Sequence, residues 1–411
     1  MADLKLFSLF TGAGGLDYGF EAAGFKTALA IEMDSEACAT LRMNRPSWPL
    51  IQEDIHRISP SRALQESSLG TRDVDVIIGG PPCQPFSKSG YWARGDSKRL
   101  ADPRANTLES FLQYVENLRP AVFVLENVHG ICYNGKDEGL KLLLDRVEAI
   151  NRVHGTNYIP KISILNAADY GVPQVRKRFF MVASKDGQEF IFPNPTHMDP
   201  RKRKQGQIEK KIYDHMLAWD AIGDLNDEPP TSDLKINSKW AEVLPSIPEG
   251  HNYLYHTIKG EGRDIFGYRT KYWSYLLKLA KNRPSWTIQA TPARECGPFH
   301  WKNRRLSVRE MARLQTIPDD ISFAGGFGSV QRQIGNAVPS LLAEVIAREI
   351  GVQFFGARRR RPRLAIEPRR PVPEAEPVEG LPYQFLKWEG KFSRHPGEGY
   401  GPKGRMRRSA E

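Results

Sequence analysis

The chain has 411 residues, of which 40% are hydrophobic and 26% charged, and a formal net charge of +11. That composition excludes a disordered chain, and no apolar run approaches the roughly 18 residues of a membrane-span candidate. The four cysteines, Cys38, Cys83, Cys132 and Cys296, lie far apart without a Cys-x-x-Cys pair, which argues against a zinc ribbon or a disulfide framework and predicts no metal.

The length predicts one large domain plus a smaller one, and the positive excess predicts an anionic partner. The chain opens directly on a strand-like run, with no signal peptide, so a reducing cytoplasm is the expected compartment. Strand-like runs over 4–10, 27–34, 74–80, 121–128, 161–167 and 178–184 alternate with helical patterns such as 35–44 and 138–153. This is the βαβ rhythm of a mostly parallel sheet.

The rhythm breaks after Ser184. From about 190 to 298 the chain is rich in Pro, Trp, Tyr and basic residues, with Arg201-Lys202-Arg203-Lys204 near its start, and predicts a loop-rich insert whose aromatics mostly form its own small core. Helical periodicity returns over 307–315 and 338–351. Ser307 and Glu310 have the spacing of a capping box, and Gly335-Asn336 is expected to form a turn ahead of Pro339. From 357 onward 14 Lys and Arg face 7 Glu, a tail that reads equally as a solvated extension or as a DNA-contacting arm.

Two sites are visible at predicted strand ends. The first is Phe10-Thr11-Gly12-Ala13-Gly14-Gly15, a glycine turn between a strand and a helix, where a ligand can approach the backbone and unpaired N–H groups. Glu32 closes the next strand at the spacing of a ribose-binding carboxylate, and Asp54 at the following strand end suits an adenine amino group. Asp17 stands where a dinucleotide fingerprint wants a small residue, which argues against nicotinamide, and no Lys-bearing phosphate loop is present. The second site is Gly79-Gly80-Pro81-Pro82-Cys83-Gln84-Pro85-Phe86-Ser87, in which prolines stop a buried strand and present a cysteine on a stiff loop.

FTGAGG, GGPPCQPFS, ENVHG, Gln174-Val175-Arg176-Lys177-Arg178, RRLSVREMARLQTIPDD and QIGNAVPS occur in the order found in cytosine-5 DNA methyltransferases, and the chain resembles that family from Lys5 to about Ile350. The stretch from Phe190 to about Arg283 falls outside the resemblance. It implies an α/β, Rossmann-like S-adenosylmethionine-dependent catalytic domain with a small, loop-rich target-recognition domain inserted. The expected boundaries are 1–185 and 301–356 for the catalytic domain, 186–300 for the insert and 357–411 for the basic tail. Thr316-Ile317 and Pro85 depart from the family pattern without removing a functional group.

The resemblance also implies roles. Carbon 5 of cytosine becomes nucleophilic once a soft nucleophile adds at carbon 6, which suits the Cys83 thiolate. Glu126, ending AVFVLE, would share a proton with N3 of the ring; Arg176 and Arg178, two apart and so on one face, would place their forks on O2 and nearby phosphate or carboxylate groups. Phe10, Gly12, Gly14, Glu32, Asp54, Pro82, Asn336 and Val338 are expected to hold S-adenosylmethionine, with S-adenosylhomocysteine as product. Arg309, Glu310 and Arg313 read as internal salt bridges. Residues 88–96 would close over a base flipped from the duplex, with Ser87 or Ser89 near the base and Arg104 on a phosphate.

Double-stranded DNA is therefore the expected partner of a monomeric, cytoplasmic, nucleoid-associated bacterial enzyme, and functional pairing with a restriction endonuclease is compatible with it. A transfer-RNA cytosine methyltransferase is the alternative, although the Cys-Phe-Thr signature of that branch is absent. A catalytically inactive DNA-binding protein is the other, against which the set Cys83, Glu126, Arg176 and Arg178 argues.

Overall fold

The computed structural model describes residues 3–70, 73–82, 106–132, 138–203, 212–227, 229, 231–269 and 271–391. A strand covered on both faces needs apolar side chains at both parities, and the central runs supply them. Seven strands, β1 (Lys5–Leu9), β2 (Lys26–Glu32), β3 (Leu50–Gln52), β4 (Val76–Gly79), β5 (Val122–Val128), β6 (Lys161–Asn166) and β7 (Lys177–Ser184), form one sheet in the order β3-β2-β1-β4-β5-β7-β6. Strands β1 to β5 pair in parallel, whereas β7 runs antiparallel to both β5 and β6. The strand order reverses between β1 and β4, the switch point at which an open α/β sheet leaves a crevice.

The helices are α1 (Gly15–Ala23), α2 (Ser35–Asn44), α3 (Pro60–Ser67), α4 (Asn106–Leu118), α5 (Glu138–His154), α6 (Ala218–Ile222), α7 (Val308–Leu314), α8 (Phe327–Asn336), α9 (Ser340–Phe355) and α10 (Tyr383–Leu386). Alternate strand residues sort into two apolar layers. Phe7, Leu9, Ile77, Phe123 and Leu125 pack with α3, α4 and α5, while Leu6, Val76, Ile78, Val122 and Val124 pack with α1 and α9. Helix α9 can lie this close because position 19 is glycine: a Cβ there would come within 2.5 Å of the Ser340 carbonyl oxygen and 2.4 Å of the Ala343 Cβ. The chain thereby returns from the insert to the first helix of the sheet.

Two features of the C-terminal half differ from the sequence reading. Gly335-Asn336 is not a turn but the last turn of α8. A Cβ at Gly335 would lie 2.4 Å from Ala290 Cα, so this glycine serves close backbone packing, and the turn follows at Ala337 to Pro339. Residues 392–411 of the basic tail lie outside the described residues, and residues 357–391, largely exposed as a solvated extension would be, are anchored rather than loose. They run along the molecule as a strap, with Arg363 and Leu364 bound to Glu344, Arg369 and Arg370 to Asp220, and Phe385 in an apolar cluster of the insert.

Between β7 and α7 the chain forms the short pair β8 (His197–Met198) and β9 (Tyr213–Asp214), α6 and several single turns. Ile236, Val243, Leu244, Ile247, Tyr253, Tyr275, Leu276 and Phe299 make a separate cluster there. The aromatics divide: Tyr253 and Tyr275 are in this core, while Tyr272 and Trp273 are exposed. Among the described residues no helix is long and apolar enough to cross a membrane.

Candidate active site

Register places the predicted residues side by side. Ile31, Leu9, Gly79 and Leu125 are ladder partners across β2, β1, β4 and β5. The next residue of each chain segment is Glu32, Phe10, Gly80 and Glu126, so all four stand in one row at the C-terminal edge of the sheet, flanking the switch point. On the outer side Glu32 pairs with Gln52 of β3, two residues before Asp54.

The glycine turn leaves β1 through three left-handed residues, Phe10 (φ 56°), Gly12 (φ 56°) and Gly14 (φ 84°). Gly14 tucks against the Tyr18 ring, where a Cβ would be 2.9 Å from Cζ, but nothing lies within 4 Å of the Cβ position at Gly12. The backbone of Gly12 therefore borders open space. Glu32 fixes this turn, since one carboxylate oxygen accepts from the Gly12 N–H at 2.7 Å and the other from the Met33 and Asp34 N–H groups at 2.8 Å each. Burial raises the Glu32 carboxyl above its usual range, and those N–H donors oppose the shift.

Asp54 accepts from the His56 N–H at 3.1 Å and lies 2.7 Å from the His56 ring, and these bonds hold its carboxyl below the usual range. The residues present suit a nucleoside cofactor: an open floor at Gly12 and carboxylates with lone pairs to spare at adjacent strand ends. The far wall comes from the returning chain. Val338 is buried, and its carbonyl oxygen would be 2.7 Å from a Cβ at Gly15; the Ser340 hydroxyl donates to the Gly15 carbonyl at 3.0 Å. Asn336 is exposed at the end of α8.

The reactive end is built on β4, β5 and β7. Glu126 is 8% exposed, and its Oε1 takes an ion pair from Arg178 Nε at 2.9 Å. Its Oε2 would be 3.0 Å from a Cβ at Gly80, so the carboxylate borders the loop that leads to Cys83. That loop is tied down twice: Asn127 Nδ2 donates to the Pro81 carbonyl at 3.2 Å, and the Thr107 hydroxyl donates to the Pro82 carbonyl at 3.3 Å. Burial pushes the Glu126 carboxyl up, against the pull of the Arg178 and then the Arg176 guanidinium. A raised carboxyl can hold a proton where an ordinary glutamate would be ionised.

The arginine pair separates, which corrects the expectation of two forks on one face. Arg178 faces Glu126. Arg176, 1% exposed, turns to main-chain carbonyls, donating to Ile288 at 3.1 Å, Gly335 at 2.6 Å and Ala337 at 3.0 Å. The divergence follows from position, because Arg178 belongs to β7 and Arg176 to the connection before it. Gln174 acts beside Arg176, accepting from Ile288 N and donating to the Leu314 carbonyl.

Pro82 is exposed at the end of the described loop, and Cys83, Ser87, Ser89, Arg104 and the stretch 88–96 lie outside the described residues. Thr107 is a contact the sequence did not single out, since a threonine at a helix start reads as a cap. Glu310 is buried and takes both Arg304 nitrogens at 2.7 Å, and Arg313 bridges Asp224 and Asp319, so these groups are internal ion pairs.

Comparison with known proteins gives one consistent picture. A family model described as C-5 cytosine-specific DNA methylase matches residues 4–352. The chain is 37% identical over 374 residues to the type II methyltransferase M.SacI of Streptomyces achromogenes, covering 86% of this chain and 94% of that protein. It is 33% identical to the type II methyltransferase M1.HphI of Haemophilus parahaemolyticus, covering 84% and 86%. Among solved structures, one described as a prophage-encoded DNA modification methyltransferase (E. coli) superposes with a TM-score of 0.62 at 23% identity, over 85% of this chain and 99% of that one. The S. pombe Dnmt2 methyltransferase gives a TM-score of 0.54 at 15% identity over 86% and 99%, a likeness of fold.

Proposed function

The chain belongs to the C-5 cytosine-specific DNA methylase family, and on that premise we propose that it methylates carbon 5 of a flipped-out cytosine within one short double-stranded DNA sequence. It is a DNA cytosine-5 methyltransferase and S-adenosylmethionine is its cofactor. The observation that carries the finer reading is the Glu126–Arg178 pair beside Gly80, next in the sheet to the glycine turn.

In this reading the Cys83 thiolate adds to carbon 6 of the base, forming a C–S bond and displacing the ring's electron pair toward N3 and O2. Glu126, whose carboxyl is raised by burial, shares its proton with N3, and Arg178 holds Glu126 in line while offering donors to O2. Carbon 5 thereby gains the electron density to attack. The cofactor, when bound against Phe10, Gly12, Gly14, Glu32, Asp54, Pro82, Asn336 and Val338, supplies an electrophilic methyl group. With the methyl group on carbon 5 and S-adenosylhomocysteine released, loss of the carbon 5 proton to water expels the cysteine as thiolate, N3 returns its proton to Glu126, and the aromatic ring is restored.

Arg176 holds the walls around this chemistry rather than the base. Ser87 and Ser89 would approach the base and Arg104 a phosphate. Relatives named as type II methyltransferases support a restriction-modification role; protection of host DNA alongside a cognate restriction endonuclease, by a cytoplasmic, nucleoid-associated monomer, belongs to the same proposal.

The test is methyl transfer from labelled S-adenosylmethionine to duplex DNA and to transfer RNA in parallel, with base-resolution mapping of 5-methylcytosine. Label at one short DNA motif is expected; label in RNA alone would overturn the reading. In the same assay Cys83→Ser should bind cofactor and DNA yet lose turnover by more than about a thousandfold. Full activity of that variant would overturn the covalent route.

A further inference from the structure

The family match ends at residue 352, but the chain after it is built into the molecule. The strap formed by residues 357–391 visits three apolar clusters in order. Leu364 and Ala365 pack on the cluster under α1 and α9, Ile366 on the cluster of α6, α7 and α8, and Leu381 and Phe385 in the core of the insert. Between these pins it meets buried charges. Glu344, with no exposed surface, accepts from the Arg363 N–H at 2.6 Å and the Leu364 N–H at 2.8 Å. Asp220, 2% exposed, accepts from the Arg369 N–H at 2.8 Å and pairs with Arg370.

Further along, Lys281, 3% exposed, donates to the Glu374 carbonyl at 2.9 Å and to Glu376 at 2.8 Å while pairing with Glu249 at 2.9 Å. The Glu379 N–H donates to Pro245 and the Gly390 N–H to Asp264, both in the insert. Buried ions are costly unless fully partnered; Glu344 also pairs with Arg348 and Lys281 with Glu249, and the strap adds the remaining bonds to both and to Asp220. The Arg176 and Gln174 bonds join the insert to the catalytic sheet near residue 288, and the strap joins the two again along a separate line.

We infer that residues 357–391 are a positioning element for the DNA reaction: the strap sets how the insert stands relative to the sheet edge that carries Glu126 and Arg178. The inference rests on the proposed DNA reading. Its consequence is that Leu381 and Phe385, in the insert core and away from the reacting groups, govern duplex recognition. With the strap fixed, a duplex gripped by the insert is presented to the site in one pose. With its end released, the insert still grips DNA but the cytosine is offered in many poses, so KM for DNA rises and mismatched duplexes are rejected less well.

The experiment uses the full chain carrying Leu381→Ala and Phe385→Ala, with rates normalised to sites that bind S-adenosylmethionine. A rise in DNA KM of about tenfold or more is expected with kcat within about twofold, alongside weaker discrimination against a one-mismatch duplex. Phe385→Leu should restore both. A loss of cofactor sites and activity in equal proportion, with normalised KM and discrimination intact, would reduce the strap to a stabilising element and overturn the inference. A second protein, folded with a protease site at the exposed residues 377–379, cut and freed of its C-terminal fragment, separates folding from positioning; unchanged KM there also overturns it. Absence of DNA methylation by the unmodified chain would instead overturn the proposed function.

Discussion

Asp17 shows how far a single residue's type can be read. Its place in the sequence argues against a dinucleotide fingerprint, but its environment is set by folding: the side chain has no exposed surface. Burial raises the carboxyl from its ordinary 3.8 to about 7, with the nearby Ser8 hydroxyl pulling the other way. Because the folded state holds the proton more tightly, stability is fullest below the unfolded value and is lost as pH rises through the folded one. Between about pH 5 and pH 7 the loss is about 2–3 kcal/mol from this group. Asp17→Asn should therefore flatten the pH dependence of Tm and exceed the unmodified chain in Tm at about pH 8; parallel Tm curves for the two proteins would contradict the assignment. The placement of Glu32 and Glu126 at the sheet edge was legible because a carboxylate closing an apolar run stands toward a strand's end. Their partners, the Gly12 N–H and the Arg178 guanidinium, were not, because those depend on which strands become neighbours.

At the scale of elements, the sheet was legible wherever β-branched and aromatic runs exceeded about five residues, and the α7 capping box of Ser307 and Glu310 forms in full. The reading failed at α8. Glycine next to asparagine carries a turn signal, yet Gly335 is helical and its missing side chain admits the backbone of Gln289 and Ala290. The two readings predict opposite outcomes for Gly335→Ala. In an open helix the change would add about 1 kcal/mol of stability through helix propensity. Here a Cβ would sit 2.5 Å from the Ala290 nitrogen, and overpacking of that kind costs about 1–3 kcal/mol, so a lower Tm is expected in thermal unfolding. An unchanged or raised Tm would show that residues 289–290 can yield without loss.

For the whole molecule, the charge counted in the sequence suggested a basic arm, but much of the described strap spends its arginines internally. Arg359 pairs with Glu349, Arg361 with Glu367, Arg369 with Asp224 and Arg370 with Asp220. Composition reports how many charges a chain has and not which are neutralised, as Arg369 and Arg370 are, by aspartates far away in sequence. The same non-locality hides the role of Arg176, whose acceptors lie 112 to 161 residues later in the chain and belong to the insert border and the end of α8. Replacing it with methionine keeps much of the volume and removes a buried charge, but it leaves three carbonyls without their donor, at about 1–3 kcal/mol for each one left unsatisfied. The sheet and the outer part of the insert around Tyr253 and Tyr275 have apolar clusters of their own, and a third cluster joins Ala218, Ile222, Ile288 and Trp301 of the insert to Tyr18 and Ile334. Once the Arg176 junction is weakened, the outer part of the insert should therefore unfold apart. Scanning calorimetry of Arg176→Met is expected to split one transition into two, with that outer part melting first. A single transition shifted to lower temperature would mean that Gln174 and the strap hold the junction without it.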